Sequence, residues 1–475
     1  MSDDLIKKEP VPEEPPAEKD KYDQSYLLKD DLTTAEANKV VLQLAGPAVM
    51  EQLLMCLVGM IDMIQVSRIG PAAITAVGLT NQPIMFAMAI FMAVNVGTTA
   101  VVARYIGARN MKDANETARQ SLVIVTLLSI VVSAIMYLIA EPVLLFMGAQ
   151  PDTMVYAVKY YHIVSISMIF NTIQMCVNSM VRGAGDTKSP MINNTVVNLI
   201  NVVFNFLLIN GIWFFPKMGV TGAGLATAFS RLVGCMMALS LVLIPGKRIT
   251  VSFKEKFHFN WDIAKRVAKI GLPAAAEQFV MRIGMILFTR TVSGLGTIVF
   301  AAHQVAINIT SLSFTTGHGF GMSATSLVGR CLGAKKPDMA EKFAKATSHM
   351  SMLVSIGVAF LLFFAGNKVA LLYTDDASVI ASAAVALKII ALVQPLQSIQ
   401  FVLAGALRGA GDTKWPLYST IVGVWFFRLG LAVILVQYMH MGLLGAWIAM
   451  AVDQAARSLV IQLRFNSNKW KHIRV

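Results

Sequence analysis

The chain has 475 residues, 56% of them hydrophobic and only 14% charged. A soluble globular chain carries about 25% charged residues, so a large water-soluble domain is excluded. The formal net charge of +13 does not mark a nucleic-acid binder, because the basic residues stand in short loops between apolar runs, not in a patch interleaved with aromatics.

Residues 1–38, rich in Pro and charge ("KKEPVPEEPPAEKDK"), read as a disordered tail with no signal-peptide core. Beyond them come runs such as "LVIVTLLSIVVSAIMYLIA", Leu122 to Ala140, long and apolar enough to cross a bilayer. About twelve spans follow from the punctuation by Gly, Pro and charge: 41–67, 73–105, 116–140, 154–180, 190–211, 219–244, 264–290, 298–329, 340–365, 378–405, 416–437 and 441–463. The expected fold is an all-α polytopic membrane protein. Cys56, Cys176, Cys235 and Cys331 are scattered, with neither metal spacing nor a disulfide framework.

The string RGAGDTK occurs twice, at 182–188 and 408–414, 226 residues apart (408 − 182). Arg104 and Arg330, Gly107 and Gly333, Pro47 and Pro273, and Glu51 and Glu277 keep the same offset. Near the sixth span the register slips, and "GVTGAGLATA" pairs with "GLLGAWIAMA". A unit of that length holds about six spans, and an even number returns the chain to its starting side. The halves are therefore parallel repeats: a six-helix lobe at 39–246, a linker at 247–261 and a second six-helix lobe at 262–475.

Lys and Arg set the orientation. One set of loops holds Arg104, Arg109, Lys112, Arg119, Arg182, Lys188, Lys247, Arg248, Lys254, Lys256, Lys265, Arg266, Lys335, Lys336, Lys342, Lys345, Arg408 and Lys414, and the C-terminal tail adds Lys469, Lys471 and Arg474. The opposite set holds little beyond Arg68, Lys159, Lys217, Arg290 and Lys368. A multi-pass protein of the plasma (inner) membrane with both termini cytosolic is expected. Each RGAGDTK then forms a cytosolic hairpin between the fourth and fifth spans of its repeat. Its glycines suit left-handed backbone, Asp186 caps the next helix, and Arg182 meets terminal carbonyls or lipid phosphates. The string lacks nucleotide-cradle spacing; it either fixes a turn or takes part in gating.

Ionisable residues inside a membrane are costly and therefore functional candidates. Asp62 stands within the first span with no basic residue within five positions. Asn194, Asn198, Asn201 and Asn205 recur at steps of four, three and four, on one face of the fifth span. The equivalent positions in the second half are Thr420, Val424, Phe427 and Leu431, so a polar site is expected in the first lobe only, although asparagine also serves as interhelical glue. Glu51 and Glu277 either satisfy backbone freed by the neighbouring proline or line a central cavity. Gln278, Arg282, Gln304, Gln394, Gln397 and Gln400 form a candidate polar wall in the second lobe. "TTGHGFG" at 315–321 suggests a bend in the eighth span and offers His318 as a relay or cavity residue.

The two parallel six-span halves, RGAGDT after the fourth span of each, "GPAVMEQ" in the first span and "GLPAAAEQ" in the seventh resemble the multidrug and toxic compound extrusion (MATE) family over essentially all of the chain after residue 38. The resemblance implies a V-shaped two-lobe secondary antiporter that exports organic cations or amphipathic drugs in exchange for H⁺ or Na⁺, without a cofactor. It implies small-molecule and lipid partners, no nucleic acid, and a monomer. It places the coupling cation at Asp62, Asn178, Asn201 and Thr227, with a possible Na⁺ there. Where part of the family has an aspartate, this chain has Asn205, which leaves one clear carboxylate. One branch uses acidic residues in the second lobe, at positions occupied here by Met281 and Gln397, so that cation site is expected to be absent. Two alternatives stay open. A lipid-linked oligosaccharide flippase would use Arg282 and Arg428 for pyrophosphate. An intramembrane enzyme would need a catalytic arrangement that the sequence does not display.

Overall fold

The computed structural model describes residues 25–28, 32–67, 69, 71–212, 215–244, 248–252 and 258–473. Twelve long helices dominate: α1 (Thr34–Ser67), α2 (Pro71–Gly107), α3 (Met111–Leu138), α4 (Pro151–Gly183), α5 (Lys188–Asn210), α6 (Gly219–Leu243), α7 (Trp261–Ser293), α8 (Thr297–Gly333), α9 (Pro337–Ala370), α10 (Ala377–Ala410), α11 (Lys414–Tyr438) and α12 (Gly442–Asn466). All twelve are long and apolar enough to cross a membrane. No strand occurs among the described residues. Leu138, Phe364 and Leu392 lie exposed on the outside, a distribution that lipid, not water, rewards.

Helix ends follow from local chemistry. Asn110 accepts from Asp113 N–H, Asn260 from the N–H groups of Asp262 and Ile263, and Asp376 from those of Ser378 and Val379. Each satisfies donors left open at a first turn. Pro151 and Pro337 open α4 and α9, where a missing N–H is harmless.

Three sequence expectations are amended. Helix α1 begins at Thr34 and a helical turn forms at Ser25–Leu28, both inside the stretch read as a tail. Tyr26, Leu27 and Leu32 are buried, and Tyr26 packs edge-on against Phe343. Residues 1–24 lie outside the described set, as do Arg68, Lys247, Lys254, Lys256 and Arg474. In the linker, 248–252 docks on the first lobe, with Ile249 and Val251 buried and Thr250 N–H donating to Asn115. Helix α8 is continuous from Thr297 to Gly333, and its glycines also serve close packing. A Cβ on Gly317 would strike Phe401, one on Gly319 the backbone of Val49, and one on Gly321 the carbonyl of Phe401.

The duplication is visible in space, but the lobes are interlocked on the side that carries both RGAGDTK loops. The first turns of α1 (Ala37, Val41, Leu44, Ala45) join the core of α8 and α9 in the second lobe. Reciprocally, Ile263, Val267 and Ile270 of α7 join the core of the first. Pro47 and Pro273 sit inside α1 and α7 just beyond these exchanged ends. On the same side α2 crosses α8. A Cβ on Gly107 would collide with the carbonyl of Arg330, and one on Gly333 with that of Arg104. These matched glycines let the two backbones touch, and the loop side of the molecule is sealed.

Candidate functional site

Four of the residues singled out in the first lobe meet. Asp62 of α1 accepts a hydrogen bond from Asn205 Nδ2 at 2.9 Å. The Asn201 amide lies 2.9 and 3.0 Å from the two Asp62 oxygens; with its nitrogen toward the carboxylate, it donates to both and accepts from Thr227 Oγ1 at 3.3 Å. Asp62 is half-buried, whereas Asn201 and Asn205 are buried. Asn205 Oδ1 is buried with no protein partner among the described residues. The stripe on α5 thus delivers two amides to one carboxylate, because residues four apart share a helix face. The fold adds two neighbours: Tyr160, packed near Thr227, and Arg231, one turn beyond Thr227, whose Nη1 donates to Ser167 Oγ at 2.9 Å. No basic side chain forms an ion pair with Asp62 among the described residues.

Asn178 belongs to a different layer. It bonds to Asn193 and Asn194 at 3.4 Å each, nearer the loops, and Gln174 also donates to Asn194 at 2.8 Å. Asn194 in turn donates to Glu51 at 2.6 Å. Asn198 lies between this layer and Asp62, with a buried amide nitrogen lacking a protein partner among the described residues.

The same layer explains the repeated string. Arg182 turns inward to Glu51 (2.9 Å), and Arg408 binds both oxygens of Glu277 (2.8 Å each). This corrects the expectation that Arg182 meets helix-end carbonyls or lipid. Thr420, equivalent to Asn194, also reaches Glu277 at 3.4 Å. The first glycine of each string is a crossing point: a Cβ on Gly183 would strike the carbonyl of Thr99, and one on Gly409 that of Thr325. The second adopts left-handed backbone, with φ +93° at Gly185 and +86° at Gly411. Asp186 accepts from Ser189 N–H at 2.9 Å, as a capping residue should, whereas Asp412 pairs with Arg464 at 2.7 Å. The string also reaches the opposite lobe, since Ser326 donates to the Arg182 carbonyl at 2.7 Å. Glu51 and Glu277 are each buried and paired with an arginine of their own half.

In the second lobe the glutamines do not form one wall. Gln394, Gln397 and Gln400 are buried. The first two line a small pocket with Ser313, Thr316, Ser351 and Ser355, and Ser313 donates to Gln394 at 2.6 Å. Among the described residues both polar atoms of Gln397 lack protein partners, so the pocket suits ordered water, and no carboxylate lines it. Gln278 and Arg282 are half-buried, and Gln304 is exposed. His318 is solvent-accessible and lies against Phe401, ring centroids 4.3 Å apart, with Arg408 and Glu277 nearby.

Arg428 is not available to a pyrophosphate. Its Nη2 lies 2.6 Å from Asp453, which also binds Arg457 at 2.8 Å, and all three are buried. Asp453 and Arg457, an acid and a base four apart inside an apolar span, are the sequence signal of this cluster. Wide π-helical turns over Val422–Gly430 carry Arg428 inward, and a side chain at Gly423 would collide with Asp453 and Arg457.

The chain matches the family model described as MatE over residues 47–207 and 273–434. The two segments begin at Pro47 and Pro273, on the internal repeat. The chain is 31% identical over 448 residues to a probable multidrug resistance protein NorM of Thermotoga maritima, covering 94% of this chain and 96% of that one. It is 26% identical over 449 residues to the multidrug resistance protein PmpM of Pseudomonas aeruginosa, covering 92% of each. Its fold matches the solved structure of a MOP superfamily transporter from Pyrococcus furiosus with a TM-score of 0.85 at 24% identity, over 93% of this chain and 98% of that chain.

Proposed function

Given that the chain belongs to the MatE family of multidrug efflux transporters, we propose that it exports organic cations or amphipathic drugs across the plasma membrane in exchange for H⁺ or Na⁺, with Asp62 as the group that takes up the coupling ion. One observation carries the assignment. Of the acids deep in the spans, Glu51, Glu277 and Asp453 are held by arginines, while Asp62 meets only neutral amides and a hydroxyl network. A carboxylate without a fixed counter-charge in a poorly solvated site needs a proton or a metal cation.

The Asn201 amide suits such an exchange, because either of its ends can face Asp62. Its nitrogen donates to the charged carboxylate, and its oxygen accepts from the protonated acid or coordinates Na⁺. Loading the ion removes the negative charge, turns the amide and changes how α1 sits on α5. The sealed loop side, read as cytosolic, means that this arrangement is not open to the cytosol. Alternation then requires the α2–α8 crossing to part. Proteoliposomes carrying the protein should extrude a cationic dye when an inward H⁺ or Na⁺ gradient is imposed. Absence of dye movement under both gradients, with the protein correctly inserted, would refute antiport.

The orientation has its own test. Lys188 and Lys414, beside the two repeated strings, are exposed, as are Gln150 and Asp375 in loops of the opposite set. Single cysteines at Lys188 and Lys414 should react with an impermeant maleimide only after permeabilisation, and those at Gln150 and Asp375 in intact cells. The reverse pattern would place the termini outside.

A further inference from the structure

Arg104 and Arg330 keep the repeat offset, and each reaches across the sealed side to the repeated string of the opposite half. Arg104 of α2 donates through Nη1 to the carbonyl of Ala410 at 3.4 Å. Arg330 of α8 lies so close to Gly185 that a Cβ there would collide with its guanidinium. Neither arginine forms an ion pair among the described residues. Arg330 is 2% exposed, and its Nη2 has no hydrogen-bond partner among them. A buried guanidinium without a carboxylate is costly, so each of the two needs another partner.

The two chain termini supply it. Tyr26, in the helical turn before α1, lays its ring over Arg330, with 5.7 Å from the guanidinium carbon to the ring centroid, and the ring face attracts the charge. The same segment is tied to α9. Tyr26 packs edge-on against Phe343, centroids 5.3 Å apart, and Lys342 donates to the Leu32 carbonyl. At the other end, the turn Lys469–His472 folds back on the second lobe. Trp470 is fully buried, stacks on Phe465 with centroids 5.0 Å apart and donates to its carbonyl at 2.8 Å. Lys471 pairs with Asp338 at 3.0 Å and with Glu341 at 2.5 Å. This anchored turn presents the Ile473 carbonyl, to which Arg104 Nη2 of the first lobe donates at 2.8 Å. Equivalent arginines of the two halves are thus capped by opposite ends of the chain, at the crossing where Gly107 and Gly333 let α2 and α8 touch.

We propose that the terminal segments are clasps: Tyr26 and the turn at 469–473 hold the loop side shut, and the lobes part there only after both release their arginines. Parting of α2 from α8 draws Arg104 away from Ala410 and Arg330 away from Gly185. It is blocked while Arg104 stays bonded to a turn fixed on the second lobe, and while Tyr26 presses Arg330 against the string of the first. Once released, both guanidiniums enter water and their desolvation cost disappears. The clasps therefore set the population of the state open on the loop side, without touching Asp62 or its amides.

The test is thiol labelling of purified protein in lipid nanodiscs, with the four native cysteines replaced by alanine. Ser326 of α8 is buried and bonded across the lobes to the Arg182 carbonyl, so Ser326→Cys, nearly equal in size, reports parting of the lobes. Ser458 of α12 is buried within the second lobe, and Ser458→Cys reports loss of fold. Deleting residues 468–475, and separately Tyr26→Ala, should each raise the rate at which a polar maleimide labels Ser326→Cys about tenfold, the worth of one contact to a charged group. Ser458→Cys should stay unreactive in both. Arg104→Met should also speed labelling of Ser326→Cys, and adding the deletion should bring no further gain, because both changes remove the same contact. Unchanged labelling in the deletion or in Tyr26→Ala would overturn the proposal. So would equal gains at Ser326→Cys and Ser458→Cys, which would reduce the termini to packing for the second lobe. The proposal rests on the alternation in the efflux reading. Because labelling needs neither dye nor ion gradient, failure of coupled efflux would appear as lost transport with the labelling pattern intact.

Discussion

Vesicles carrying Asp62→Asn protein should show no gradient-driven dye efflux above protein-free vesicles, although the variant reaches the membrane at wild-type level. The substitution keeps size and leaves a group that can still hydrogen-bond to Asn201 and Asn205, whose amides lie 2.9 Å from the carboxylate oxygens. What it removes is the ability to exchange a bound cation for a negative charge. Without that exchange the ion gradient has no differential affinity through which to drive one state toward the other. Equilibrium binding of the dye should therefore survive while coupled movement is lost. A variant that pumps at the wild-type rate would place the coupling site elsewhere. Asn201→Ala and Asn205→Ala should weaken coupling without abolishing it, since each removes one of several ligands to the same carboxylate.

The second large effect concerns stability. Glu277→Gln leaves the Arg408 guanidinium without its bidentate partner in a site where the two side chains are only 6% and 19% exposed. Breaking one half of a buried pair costs about 3–5 kcal/mol, so the thermal midpoint of the purified protein should fall clearly. Replacing both partners, by Glu277→Gln with Arg408→Met, should recover most of the loss, because no charge is then left uncompensated. Glu51→Gln should behave in the same way against Arg182, whose side chain is 12% exposed. Efflux per folded molecule should persist at least in part in each single variant, in contrast to Asp62→Asn. A Glu277→Gln protein as stable as wild type would show that the pair does not anchor its lobe.

The contrast between Asp62 and the two glutamates marks what could be read from the chain alone. Twelve spans, their order and the parallel duplication follow from the sequence, because a membrane demands long apolar helices and leaves the repeat offset intact. Asp62 and the asparagine stripe were legible because a polar residue in lipid stands out against its neighbours, and steps of four and three place residues on one face. The helix labels could not say which polar groups meet. Glu51 and Arg182 are 131 residues apart in the chain, and only the packing of α1 on α5, beside the end of α4, turns a capping arginine into a buried counter-ion. The same holds for Asn178, drawn off to Asn193 and Asn194 by its height on α4, and for Arg428, swung onto Asp453 by π-helical turns that no residue pattern announced. The exchange of the ends of α1 and α7 between lobes was also beyond the sequence. Which core receives their apolar residues depends on shape. Charge and period are local properties and survive in one dimension; pairing and burial are properties of the assembled surfaces.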